Sequence, residues 1–543
     1  MSKPRLVLIG NGMAGVRTVE ELLKIKPDHY DITIFGAEPH PNYNRILLSP
    51  VLAGEMTIQE IVLNELAWYK ENNIKLHTGK QIKTIDRVKR KVIADDGTEE
   101  SYDRLLIATG STPFMLPIPG NDLPGVIGYR DIKDTDEMID AAARHKHAVV
   151  IGGGFIGVEV AENFVHRGLR LALVEATDQV MAPMDPEMVA PVHTALRSAG
   201  VDLRLGQSVA SIGADDVTLA DGTRVAADVV VAAIGVRPDT SLAVGAGLAV
   251  GERGGIRVDD QFRTSDPDVY AIGDAVEKVD AIDDSASLVP LAQTANLQGR
   301  RVADIIMGRP AYGRPVLGTA IVGVFGLQVA STGWNEKRLR QAGRPYRAIH
   351  THPGNHAGYY PGSCQLSLKL LVDPETDEIL GAQGVGESGV DKRIDVIATA
   401  ITGGILASEL ADLELAYAPQ FGSAKDPVNM LGHIAANLRD GLTETIQWHE
   451  VDAAVAAGAT VLDVRTQSEH DANAIPGSML IPLDDLRDRL DEVPAGDLVV
   501  HCAVGLRGYL ATRVLEQHRN GQGWGRIRNL DGGMKTWLAG TGA

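Results

Sequence analysis

The feature that most constrains this chain is a strand, glycine turn and helix in immediate succession, and it occurs twice. Arg5–Ile9 is a short apolar run that ends in Gly10-Asn11-Gly12-Met13-Ala14-Gly15. A helix-like stretch follows through about Lys26, then a second strand at Ile32–Phe35. The order recurs about 140 residues later: Ala148–Ile151, Gly152-Gly153-Gly154-Phe155-Ile156-Gly157, a helix to about Arg167, and a strand at Arg170–Val174. In each unit the first glycine (Gly10, Gly152) permits the tight turn and the second (Gly12, Gly154) lets a pyrophosphate approach the backbone. The third (Gly15, Gly157) lets the helix pack closely on the strand, and the helix N-terminus adds a positive field. A repeat this long is duplication at domain scale rather than a solenoid period.

Each unit is expected to place a carboxylate near the end of its second strand, where ribose hydroxyls lie. Glu38 stands slightly late after Phe35, and Glu175 follows Val174 directly. No arginine follows Glu175 closely, so a 2′-phosphate would meet a like charge; NADH is therefore expected over NADPH. Glu159 lies two residues beyond Gly157, where a helix dipole alone favours a carboxylate. Three further strand ends carry small-residue turns: Leu105–Gly110 with Ala108-Thr109-Gly110, Ala233–Pro238 with Gly235, and Val269–Asp274 with Gly273-Asp274. These resemble the signatures of the flavoproteins built from two dinucleotide-binding domains. The resemblance implies FAD in the first unit, with Asp274 on the ribityl chain. It implies NADH in the second, with Glu159 beside flavin and nicotinamide, and Gly235 where the chain returns to the FAD domain.

Composition narrows the partners. The 543 residues carry 52 basic and 71 acidic side chains, a net charge of −19, which repels nucleic acid and anionic membrane surfaces. Two cysteines, Cys364 and Cys502, exclude a disulfide framework and a cysteine-held iron–sulfur cluster, and no metal site is expected. No leader-like segment and no run of 18 apolar residues is found, so a cytoplasmic protein with no membrane span is expected.

Two stretches point to different relatives. Phe35-Gly36-Ala37-Glu38-Pro39-His40-Pro41-Asn42-Tyr43-Asn44-Arg45-Ile46-Leu47-Leu48-Ser49 resembles the flavin domain of assimilatory NAD(P)H nitrite reductases, and that likeness runs from about Lys3 to Lys146. It implies that Arg45 helps to hold FAD. Ala357-Gly358-Tyr359-Tyr360-Pro361-Gly362 and Tyr417-Ala418-Pro419-Gln420-Phe421-Gly422-Ser423-Ala424-Lys425-Asp426-Pro427 resemble coenzyme A-disulfide reductases and NADH-dependent persulfide reductases, over about Val149 to Leu438. This second likeness implies a homodimer in which Tyr360 and Tyr417 reach the partner's sulfur site. The single redox cysteine of those reductases would fall at or near Ile46, yet the first 363 residues contain no cysteine. Cys364, four residues past Tyr360, is either a replacement thiol or a small packed hydrophobe.

The last hundred residues resemble a rhodanese (sulfurtransferase) domain, through Val461-Leu462-Asp463-Val464-Arg465 and Leu530-Asp531-Gly532-Gly533-Met534-Lys535-Thr536-Trp537. Asn473-Ala474 stands where that family usually has Gly-His before Ile475-Pro476-Gly477. Strand Leu498–His501 runs into Cys502-Ala503-Val504-Gly505-Leu506-Arg507, with a helix from about Gly508. A cysteine in such a loop is ringed by backbone N–H groups that stabilise a thiolate or persulfide, and Arg507 adds positive charge.

The expected fold is α/β: two Rossmann-like dinucleotide-binding domains, an α+β dimerisation domain and a C-terminal α/β rhodanese domain. The FAD domain takes residues 1–115 and 240–316, the NAD domain 116–239, the dimerisation domain 317–440 and the rhodanese domain 447–543, with Gly441–Ile446 as linker. The function expected is NADH oxidation through FAD, coupled to reduction of a thiol persulfide, polysulfide or coenzyme A-disulfide-type sulfur, with Cys502 as sulfur carrier. The alternative is a flavoprotein that passes electrons to a separate redox protein, because the relay cysteine is missing near Ile46.

Overall fold

The computed structural model describes residues 3–519 and 525–542; residues 1, 2, 520–524 and 543 lie outside the described residues. The chain divides into two compact units, the first of residues up to 180 with 200–318, the second of 181–199 with everything from 319.

The first unit contains two parallel five-stranded sheets. One has the order Val269–Ala271, Arg104–Ile107, Arg5–Ile9, Asp31–Phe35, Lys75–His77. The other has the order Val126–Ile127, Val229–Ala232, His147–Ile151, Arg170–Val174, Asp202–Arg204. Their central strands are apolar along their length, because parallel strands are covered on both faces. Leu6, Val7 and Leu8 are fully buried, as are Val149 and Val150. In each sheet the glycine-turn strand has the next strand in sequence on one side and a much later one on the other. The crossovers therefore diverge at its carboxyl end and leave a crevice there.

The duplication extends to the inserts. A three-stranded antiparallel meander, Ile82–Asp86, Lys91–Ala94 and Glu99–Ser101, precedes the Arg104–Ile107 strand. A second meander, Val209–Ile212, Asp216–Leu219 and Arg224–Ala226, precedes Val229–Ala232 in the same way. Ser111–Pro113 pairs antiparallel with Val236–Pro238 where the chain leaves one sheet domain and returns to it.

In the second unit, a five-stranded antiparallel sheet has the order Ala320–Val324, Leu327–Gly333, Ile379–Gly386, Leu366–Val372, Arg347–Thr351. Alternation along Leu366–Val372 sends Leu366, Leu368 and Leu370 into a core with Ile394 and Ile397 of helix Val390–Gly403 and Leu431 of helix Pro427–Arg439. Ser367 and Lys369 face the opposite way, where helix Pro186–Ser198 packs with this unit.

The last sheet is parallel, in the order Glu444–Ile446, Ile527–Leu530, Leu498–His501, Thr460–Asp463, Met479–Leu480. Here the structure corrects the expected linker: Glu444–Ile446 is an edge strand paired with Arg528–Leu530. Three residues give no local periodicity, and the partner that makes them a strand lies about 80 residues away. Among the described residues no helix is long and apolar enough to cross a membrane.

Candidate functional site

The first cradle follows from its glycines. Gly10 has φ +110°, and a Cβ there would strike the Ala108 carbonyl. A Cβ on Gly15 would lie 2.8 Å from the Gly10 oxygen, whereas one on Gly12 would meet nothing within 4 Å. The outer glycines are thus demanded by the protein's own backbone, and the middle one keeps clear a space that a ligand can enter. Gly12 caps helix Met13–Ile25 with no side-chain bond, leaving the first-turn N–H groups for that ligand.

Around this turn the predicted residues gather. Glu38 accepts hydrogen bonds from the Tyr43 hydroxyl at 2.7 Å and from Arg45 at 2.6 Å. Arg45 also donates to the Arg130 carbonyl. Arg130, not anticipated from the sequence, has its guanidinium pKa lowered, first by burial and then by Arg45. Its only sequence signal was a cation just ahead of a helix N-capped by Asp131. Asp274 sits in the turn after Val269–Ala271 and accepts from Ser111 Oγ at 3.2 Å. Thr109 Oγ1 bonds the Asp239 carbonyl at 2.7 Å and Gly110 takes φ +74°, which fixes the Ala108–Gly110 turn. An open glycine, an uncapped helix end and two neighbouring guanidiniums fit a dinucleotide's pyrophosphate.

The second cradle repeats the design. Gly152 has φ +101° with Ala233 against it, Gly157 presses on the Gly152 carbonyl, and Gly154 faces open space as an uncapped helix start. Gly235, at φ +104°, turns the chain beside it. Glu175 accepts from the Gly153 N–H at 2.7 Å and the Thr177 N–H at 2.9 Å, so its carboxylate is fixed at the rim of the turn. Glu159 on helix Phe155–His166 has its carboxyl pKa raised by burial, opposed by a bond from Ser49. Ser49 Oγ in turn lies 3.0 Å from the Tyr129 hydroxyl. Ile46, at the position where the resembling reductases would carry their relay cysteine, is 60% exposed on the short turn Arg45–Leu47.

In the second unit the two tyrosine motifs are tied together from beneath. Ala357 N–H bonds the Gly422 carbonyl at 2.9 Å, and buried Arg393 bridges the Asn355 carbonyl at 2.7 Å and Asp426 at 2.9 Å. The phenol that meets Tyr417 is Tyr359, at 3.0 Å between hydroxyls, and nothing in the sequence distinguishes it from its neighbour Tyr360. Tyr360 instead sets its ring edge-on to His356, at 5.8 Å between centroids. All three tyrosines are exposed. Cys364 is partly buried, and its amide donates to Asn355 Oδ1 at 3.0 Å, pinning the turn.

Cys502 is buried at the end of Leu498–His501, and its Sγ accepts the Gly505 N–H at 3.2 Å. The helix begins at Leu506, two residues before the expected Gly508, which puts Arg507 in the first turn. Arg507 forms a two-pronged ion pair with Glu469 at 2.6 and 2.8 Å and also faces the cysteine sulfur. Arg465, paired with Asp463 at 2.7 Å, donates to the Asn473 carbonyl at 2.7 Å, so the unusual Asn473-Ala474 pair is held by the first rhodanese signature.

Two dinucleotide cradles and a separate cysteine loop define an oxidoreductase that uses FAD and NAD(P)H and carries an added sulfur-handling domain. The chain belongs to the pyridine nucleotide-disulphide oxidoreductase family, whose sequence signature matches residues 4–299. The dimerisation domain of that family matches 319–427, and a rhodanese-like domain matches 447–540. The chain is similar to the crystal structure of reduced Bacillus anthracis CoADR-RHD, with a TM-score of 0.96 and 37% identity, covering 100% of this chain and 99% of that one. It is similar to the NAD-dependent persulfide reductase of A. fulgidus, with a TM-score of 0.91 and 35% identity over 98% and 100% of the two chains. Nitrite reductase [NAD(P)H] of Bacillus subtilis is 40% identical over 348 residues, 63% of this chain and 42% of that protein. The chain thus spans about two fifths of the length of the B. subtilis relatives it matches.

Proposed function

We propose that this protein is a homodimeric, cytoplasmic NADH oxidoreductase that reduces the sulfane sulfur of a small thiol persulfide or a coenzyme A-disulfide-type substrate, with its rhodanese domain carrying sulfur on Cys502. The observation that carries the reading is the joining, in one chain, of two open dinucleotide cradles to a cysteine whose sulfur already accepts a backbone N–H. Full-length likeness to a persulfide reductase supports it. The overall reaction is R–S–SH + NADH + H⁺ → R–SH + H₂S + NAD⁺: the S–S bond breaks, and two electrons and two protons divide between the two sulfurs.

In this reading Gly10, Gly12, Gly15, Glu38, Arg45, Ala108–Gly110 and Asp274 hold FAD, which when bound stores two electrons between donor and acceptor. Gly152, Gly154, Gly157, Gly235 and Glu175 hold NADH, with Glu159 between the two. Tyr360 and Tyr417 serve the sulfur site of the partner subunit, with Tyr359 holding the Tyr417 hydroxyl. Because no cysteine precedes residue 364, a thiol relay from the first 363 residues is absent, and the sulfur that is reduced belongs to the substrate, to Cys502 or to Cys364. Steady-state oxidation of NADH with coenzyme A persulfide tests the reading: one sulfide released per NADH supports it, and NADH oxidation without sulfide rejects it.

A second reading, electron delivery to a separate redox protein, is favoured by the exposed Ile46 in place of a thiol and by the nitrite reductase likeness. A ferredoxin-like or rubredoxin-like acceptor that accelerates NADH turnover while persulfide does not would select it.

A further inference from the structure

The second unit contains a largely buried cluster of polar contacts that the reading above leaves unused. It starts from strand Arg347–Thr351 of the antiparallel sheet. The backbone N–H of His350 donates to both Asp531 oxygens, at 3.1 and 3.0 Å, and its ring Nδ1 lies 2.6 Å from Asp531 Oδ2. The other ring nitrogen lies 3.0 Å from Glu187 on helix Pro186–Ser198. Gln447 Nε2 reaches the Ala348 carbonyl at 3.1 Å and Asp531 at 3.2 Å. One residue past the end of that strand, His352 bonds Ser367 and Thr536, each at 2.8 Å.

Asp531 opens the Asp531-Gly532-Gly533 turn, and that turn carries the cysteine loop. Met534 N–H donates to the Cys502 carbonyl at 2.8 Å and Lys535 N–H to the Ala503 carbonyl at 3.0 Å. A Cβ on Gly533 would sit 2.5 Å from the Cys502 oxygen and 2.8 Å from the Gly505 nitrogen, the same N–H that binds the cysteine sulfur. The persulfide-binding loop therefore rests on a turn that is itself clamped by a residue of the dimerisation domain.

We propose that His350 is a positioning residue for sulfur transfer at Cys502, fixing the loop's N–H groups through Asp531 from a neighbouring domain. The proposal rests on the sulfurtransferase reading of Cys502. His350 is charged in this setting: burial opposes its proton, but Asp531 and Glu187 outweigh burial and Lys369, and its pKa is pushed up to about 9. His352 also faces it, held neutral by burial with Lys535 and His350 nearby. The clamp is thus intact at neutral pH and weakens as His350 loses its proton.

The test uses the full chain with thiosulfate as sulfur donor and cyanide as acceptor. The Cys502 thiolate takes the outer sulfur as sulfite leaves with the bonding pair, and cyanide then takes that sulfur as the thiolate leaves. His350→Ala is expected to lower kcat/KM for thiocyanate formation about tenfold or more and to raise hydrogen exchange in a peptide spanning 502–507. NADH reduction of ferricyanide, a reaction of the first unit, is expected to stay within about twofold. His350→Gln, a donor that does not titrate, is expected to keep most of the activity at pH 7, and the wild-type to H350Q rate ratio is expected to fall above pH 9. Wild-type transfer and wild-type exchange in His350→Ala overturn the proposal. Should His350→Ala fail to fold, Gln447→Ala decides: faster exchange across 531–535 supports the clamp and unchanged exchange rejects it. If the wild type forms no thiocyanate, the sulfurtransferase reading fails, while the exchange measurement still judges the clamp.

Discussion

Lys369 offers the sharpest test of what holds the second unit together. Its ammonium is fully buried among Asp185 at 2.8 Å, Glu336 at 2.5 Å and Glu187. Those three carboxylates converge as they would on a divalent cation, but the lysine occupies the centre. At an effective dielectric of about 20 each contact is worth roughly 6 kcal/mol of attraction, most of it offset by desolvating four charges. Lys369→Met removes the attraction and leaves three buried carboxylates, opposed from the edges by His350 at Glu187 and Arg340 at Glu336. Removing one partner of a buried ionic cluster costs about 3–5 kcal/mol. For a unit of about 240 residues, at about 2–4 °C per kcal/mol, its Tm is expected to fall by about 6–20 °C. Tryptophan fluorescence reports on this unit, because four of the five tryptophans lie at 334 or beyond. Glu187→Gln added to Lys369→Met is expected to recover part of the loss. A Tm within about 2 °C of wild type for Lys369→Met alone would refute the reasoning.

Three further outcomes are expected. His350 has its folded pKa raised to about 9 from 6.5, so its stabilising share is complete below pH 6.5 and is lost as pH rises through 9. Denaturant titration of the wild type should therefore show a loss of about 3 kcal/mol across that window, absent in His350→Gln. Burial raises the Glu159 carboxyl pKa, so the folded state holds its proton more tightly than the unfolded one and stability falls as pH rises past the ordinary carboxylate range. Glu159→Gln is then expected to raise Tm at pH 8 and to leave it unchanged at pH 4, and a loss at pH 8 would contradict this. Glu175→Ala should lower the ratio of kcat/KM for NADH over NADPH by about tenfold or more, since a carboxylate bond to a ribose hydroxyl contributes about 1.5–3 kcal/mol. An unchanged ratio would remove Glu175 from the ribose site.

What the sequence made legible was local and backbone-driven. Gly10 and Gly152 adopt positive φ, and the strands at Arg5–Ile9, Arg170–Val174 and Leu498–His501 fall where the apolar runs put them. The Cys502 loop was visible for the same reason, as a strand, a turn and a helix in unbroken succession. The buried charges were not visible. Asp185, Glu187, Glu336, His350, Lys369 and Asp531 are scattered over about 350 residues, and alternation along its strand puts Lys369 on the face away from Leu366, Leu368 and Leu370, where a lysine reads as solvent-facing. Glu444–Ile446 was hidden because the strand it pairs with is distant. Arg507 looked like a free cation because Glu469, 38 residues earlier, supplies its ion pair only in the fold. Tyr359 and Tyr360 are adjacent, and only the fold shows which of them meets Tyr417.

In the proposed reaction, electrons from NADH end on sulfane sulfur. The most direct measurement is anaerobic: reduce the purified holoprotein with one equivalent of NADH, add coenzyme A persulfide, and follow the flavin absorbance and released sulfide. Cys502→Ser and Cys364→Ser run beside the wild type. Flavin reoxidation within the turnover time, with one sulfide per flavin, is expected in the wild type and in Cys364→Ser. Flavin that stays reduced in the presence of persulfide, yet is reoxidised by a ferredoxin-like or rubredoxin-like protein, would contradict it.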